Sequence, residues 1–181
     1  MIETTQFYHL FYVSFSRYAD VGQPGGTSDS EIFFKSELYK HLCSKLIPEA
    51  FHLIASTSFP LLHCLMTPFP FNRSKNPMQK RFDYHLHKAL TSAEVAFSHL
   101  RGRWKILLKR CDLQLDNMID IVKTCLVLHN LCEINGDHYF DSWDEGVNEE
   151  TQFPQPLHRQ NLTIPPQEGI KKRNELAAII S

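Results

Sequence analysis

Residues 86–104 read LHKALTSAEVAFSHLRGRW, with apolar side chains at Leu86, Leu90, Ala93, Phe97, Leu100 and Trp104. The steps between them are four, three, four, three and four residues, which puts all six on one stripe of an α-helix. The pattern predicts a helix over residues 78–104. A second helix is predicted over 115–134, apolar at Met118, Ile119, Ile121, Val122, Cys125, Leu126, Leu128 and Leu131, with Gly136 placed to end it.

Upstream the periodicity changes. Residues 7–15, FYHLFYVSF, are aromatic and β-branched and read as a buried strand, with 18–21 as its hairpin partner. Residues 51–55, FHLIA, read as another buried strand. Residues 22–29 are turn chemistry. From there Ser28 or Asp29 can cap a helix patterned on Ile32, Phe33, Ser36, Leu38, Tyr39 and Leu42 and ended by Pro48. Residues 59–66 are expected to form a short helix or helical turn, broken at Thr67-Pro68-Phe69-Pro70. The class is α/β.

The chain is 181 residues long with a net charge of −1, enough for one compact domain plus a tail and too balanced for a chain that is basic throughout. Any contact with nucleic acid must be local. The five cysteines, Cys43, Cys64, Cys111, Cys125 and Cys132, contain no C-x-x-C pair, which argues against a disulfide framework and a zinc ribbon. A reducing compartment, nucleus or cytoplasm, fits. No stretch is long enough to span a bilayer, and the N-terminus lacks the basic region of a secretory signal. Past residue 134 the composition shifts to acids (Asp141, Asp144, Glu145, Glu149, Glu150) and prolines. Residues 135–165 are therefore expected to be a disordered linker, followed by a short helix within 166–181.

Four segments in order resemble DDE-superfamily endonucleases derived from Harbinger transposons. They are Asp20-Val21-Gly22-Gln23-Pro24-Gly25-Gly26-Thr27-Ser28-Asp29-Ser30, Phe59-Pro60-Leu61-Leu62 with Leu65-Met66-Thr67-Pro68-Phe69, Phe82-Asp83-Tyr84-His85-Leu86 leading to Glu94-Val95-Ala96-Phe97 and Leu100-Arg101-Gly102-Arg103-Trp104, and Cys125-Leu126-Val127-Leu128-His129-Asn130-Leu131-Cys132. The resemblance implies a partial RNase H-like domain over residues 1–134, a mixed sheet flanked by helices that lacks its first strand. It also implies DNA as substrate, a pair of Mg²⁺ or Mn²⁺ ions held by two aspartates and a glutamate, and a separate Myb-like DNA-binding partner. Hard divalent cations take carboxylate oxygens, and two of them can activate a water and stabilise the leaving oxygen.

Carried over by position, the glutamate is Glu94. The second aspartate falls at Ser56, a neutral hydroxyl. The first belongs to an upstream strand, and its absence would leave 7–15 near a sheet edge; Asp20 and Asp29 match other positions. The implied reading is a nuclease domain that no longer cleaves. The competing one is a non-enzymatic, domesticated transposase fragment that binds DNA or protein, and a partial gene model is a third.

Other features have plainer explanations. Residues 101–110 hold Arg101, Arg103, Lys105, Lys109 and Arg110 without an acid. A solvated positive face and a phosphate-contacting surface both account for that run. Cys125, His129 and Cys132 share a helix face but lack a fourth ligand at metal spacing, so a buried thiol and a hydrogen-bonded core histidine are expected. His85 and His87 fall on different helix faces, and Ser56-Thr57-Ser58 sits in no G-x-S-x-G elbow.

Overall fold

The computed structural model of the chain describes residues 6–12, 15–23, 27–43, 51–70, 76–109, 113–145 and 164–180. Pro48, Arg110, Cys111 and the acidic, proline-rich stretch 146–163 lie outside them. The chain forms two compact units, one of Met1–Thr27 with Ser92–Leu157 and one of Ser28–Thr91 with His158–Ser181. The class is mixed α/β, mostly helical with a small parallel sheet.

In the first unit, β1 (Gln6–Tyr12) and β2 (Phe15–Gln23) form an antiparallel hairpin. Phe15 thus opens the second strand instead of closing the first, and β2 is longer than the expected 18–21. Helix α4 (Leu115–Asn135) packs on β2. Gly136 ends it in the left-handed conformation at φ 68°, as its position predicts. Gly22 has φ 107°, and a Cβ there would stand 2.9 Å from Ile119 Cδ1, so both backbone and packing require glycine. The core between them is Leu100, Val122, Cys125 and Leu126, flanked by Ala19, Val21, Phe97 and Trp104.

Helix α3 spans Pro77–Arg103, close to the predicted 78–104. Its start is a reciprocal cap: Asn76 Oδ1 accepts from Gln79 N at 2.8 Å, and Gln79 Oε1 accepts from Asn76 N at 3.3 Å, with Pro77 in the first turn. Residues up to Thr91 belong to the second unit and those from Ser92 to the first.

In the second unit the expected helix over Ile32–Leu42 is two helices, α1 (Asp29–Lys35, capped by Ser28) and α2 (Glu37–Cys43). Ser36 divides them. It adopts extended backbone, its Oγ donates to Phe33 O at 2.7 Å and accepts from Tyr39 N at 3.1 Å, so one hydroxyl ends one helix and starts the next. The strand expected at 51–55 shrinks to β3 (Leu53–Ile54), with Phe51 65% exposed. Residues 59–66 are not helical. Leu62 and Leu65 form a tight antiparallel bridge, and β4 (Leu65–Met66) pairs in parallel with β3. Pro60 lacks the amide a helix needs, and the carbonyls of Cys64 and Met66 accept instead from Leu53 N (2.8 Å) and Ala55 N (2.9 Å).

Two apolar clusters hold this unit. One joins Phe33, Leu42, Ala55, Cys64 and Leu65; the other joins Leu61, Met66, Phe69, Phe82 and Leu86 to Ala177 of α5 (Gln167–Ile180). A Cβ on Gly169 would stand 3.1 Å from the Leu62 carbonyl carbon, so α5 lies nearly backbone to backbone on residues 61–62.

Candidate functional site

Ser56 follows β3 directly, and its carbonyl accepts from Phe59 N at 3.2 Å in a turn. Its side chain is exposed, and its Oγ lies 2.7 Å from the Oγ of buried Ser58. Glu94 is an exposed carboxylate in the part of α3 that belongs to the first unit, beside buried Ala96 and half-buried Ala93. Among the described residues no group of three or more His, Cys, Asp or Glu side chains is placed to hold a metal ion. Neutral hydroxyls at 56 and 58 and a lone glutamate do not make the hard, multiply charged donor set that a pair of divalent cations requires.

The basic run is engaged with its own chain. Arg103 donates from Nη1 to Glu133 Oε1 at 2.5 Å and to His129 Nδ1 at 3.4 Å, and from Nη2 to Asp137 O at 2.9 Å. The Arg103 and Glu133 side chains are 5% and 16% exposed, so this is an ion pair inside the first unit. His129 is fully buried; because guanidinium can only donate, its Nδ1 accepts and the ring is a polar core residue. Cys125 is buried nearby, and burial pushes its thiol pKa up, the opposite of what a metal ligand or nucleophile needs. Arg101 lies 4.6 Å over the Phe97 ring and is half-buried. Lys105 Nζ donates to Trp143 O at 2.6 Å and to Glu145 O. Lys109 is exposed.

Residues 137–145, expected to open a linker, fold back on the end of α3. Tyr139 stacks on His99 with centroids 3.8 Å apart and donates to Asp144 Oδ1 at 2.6 Å. Its hydroxyl occupies the space where a Cβ on Gly102 would be, 2.0 Å away. These seats had no periodic signature. The visible signals were a glycine inside a helical stripe and three aromatics (Tyr139, Phe140, Trp143) within an otherwise acidic stretch.

The quoted segments thus have structural roles that link distant parts of the chain. Asn130 pairs with the Ser16 backbone, His129 with Arg103, and Thr67 and Pro68 with Arg173 of α5. The sequence profile of the DDE superfamily endonucleases matches residues 14–130, which contain the first three of these contacts' anchoring positions in α3, α4 and β2. The chain belongs to the DDE superfamily endonucleases. Among curated relatives of this DDE chain, Protein ALP1-like of Arabidopsis thaliana is 25% identical over 179 residues, covering 91% of this chain. The chain spans 41% of that relative's length. No solved structure matches the chain. DDE endonucleases act on DNA, and no helix among the described residues is long and apolar enough to cross a membrane.

Proposed function

We propose that this chain is a Harbinger-derived, RNase H-like DDE domain that does not cleave phosphodiesters. One observation carries the reading: Ser56, at the end of β3, presents a hydroxyl bonded to another hydroxyl where the resemblance implies a metal-binding carboxylate. The proposal rests on that internal position and not on where the chain starts. A hydroxyl adds no charge to a cation site, and Glu94 alone cannot hold two Mg²⁺ or Mn²⁺ ions. No cleavage step is assigned to these residues. Nicking of supercoiled plasmid in Mg²⁺ or Mn²⁺ is expected to be equal for the wild type and Glu94→Ala. Nicking that Glu94→Ala abolishes would overturn the reading.

In this reading residues 1–134 are the DDE part, 146–165 the linker and α5 a returning helix. The domain would bind DNA in the nucleus through the exposed parts of the run 101–110, with a Myb-like partner supplying sequence recognition. A protein-binding role has its own support. Val127, Leu131 and Ile134 lie four and three residues apart on α4 and are 60%, 49% and 67% exposed, an apolar row that water does not favour.

A further inference from the structure

Four cations, Arg101, Arg103, Lys105 and Lys109, lie between residues 101 and 109, and four acids, Asp137, Asp141, Asp144 and Glu145, lie between 137 and 145. The fold brings the two stretches together. Tyr139 sits against Gly102 and His99, Asp137 O accepts from Arg103, and the carbonyls of Trp143 and Glu145 accept from Lys105. Arg103 is tied primarily to Glu133 of α4, so its charge is committed to the core of the first unit. Lys105 is different. Both of its partners come from residues 143–145, and a flexible ammonium can exchange carbonyls for phosphate at little cost.

We propose that residues 137–145 are a strap that withholds Lys105 from nucleic-acid phosphate. The inference rests on the DNA-facing reading of the run 101–110. The strap acts in two ways: its carbonyls occupy the ammonium, and its four carboxylates cancel the local positive field within a Debye length. Its latch is the Tyr139 ring in the notch left by Gly102. The acceptor on Asp144 holds the phenol in that seat and, with burial, raises its pKa, so it stays neutral.

The test opens the latch without removing a cation. Gly102→Ala puts a methyl group where the Tyr139 hydroxyl lies while favouring the helix itself. Tyr139→Ala removes the ring without a clash and serves if the first variant is poorly folded. Two readouts are taken on the full chain: acylation of Lys105 by a water-soluble succinimidyl ester, and affinity for a short labelled DNA duplex across a salt series. In both variants acylation is expected to rise several-fold. Duplex affinity at low salt should rise roughly three- to tenfold, with a salt slope steeper by about one. Adding Lys105→Ala should cancel the gain in affinity. Acylation that stays at the wild-type level in folded variants overturns the strap. Acylation that rises with no gain in affinity overturns the phosphate-binding role of Lys105 and with it the DNA-facing reading of the run.

Discussion

Asn130 holds Ser16 by both of its backbone groups, accepting from Ser16 N at 2.9 Å and donating to Ser16 O at 2.7 Å. The two residues are 114 positions apart, and the pair ties α4 to β2 as a further ladder rung would. Replacing Asn130 by Leu leaves a part-buried donor and acceptor without partners and should lower stability by about 2 kcal/mol. Asn130→Asp should cost less for the donor and more for the acceptor, because a carboxylate accepts from Ser16 N and repels Ser16 O. Urea unfolding of the two variants measures this, and a shift within the error of the extrapolation would remove the pair from the account.

The Arg103–Glu133 pair should be far harder to break than to replace. Glu133→Ala strands a nearly buried guanidinium and should cost about 3–5 kcal/mol. The double variant Arg103→Met, Glu133→Leu should recover most of that loss, because no uncompensated charge remains. A double-mutant cycle by chemical denaturation decides it. The same pair explains why Arg103 variants are poor probes of DNA contact.

Helix α5 is held by a charge that never reaches water. Arg173 is 7% exposed, donates to Thr67 O at 3.4 Å and Pro68 O at 3.0 Å, and lies 4.2 Å over the Phe69 ring. Burial lowers its pKa, and the Asp83 carboxylate opposes the shift. Arg173→Met should release two carbonyls and one ring contact, costing about 2 kcal/mol, and Gly169→Val should separate the helix from residues 61–62 by steric clash. Faster amide exchange across Gln167–Ile180, with α4 unchanged, is the expected result for each.

His52 gives stability a dependence on pH. Burial and the nearby Lys172 ammonium both lower its pKa from the ordinary 6.5. The unfolded chain therefore binds the proton first as pH falls. The stability associated with neutral His52 is present above about pH 6.5, is lost as pH drops from there to the lowered folded value, and does not fall further below it. His52→Gln should flatten that part of the profile; an unchanged slope would assign it to other groups.

Much of this was legible in the sequence. The stripe from Leu86 to Trp104, the Asn76-Pro77-Met78-Gln79 start and Gly136 are local signals, and each predicts the element that forms. The parallel pair of β3 and β4 was not, because each strand is two residues long and gains its hydrogen bonds only from the other. Ser36 was read as part of a helical pattern because periodicity cannot see a hydroxyl that caps in both directions. The site divides the same way. Ser56 and Glu94 were found by position, whereas the fate of the basic run depended on partners 30 to 40 residues away that no window along the chain contains.

The two units alternate along the chain: first, second, first, second. Because α5 supplies Ala177 to the second unit's core and Arg173 to its loop, that unit lacks a wall until residue 180 has been made. The first unit needs nothing beyond Leu157. On a translating ribosome the unit begun first can therefore close first, while residues 28–91 wait with exposed apolar surface for the chain's return. Messages that stop short of α5 should yield a protein that chaperones retain, even though every residue of the family match is present.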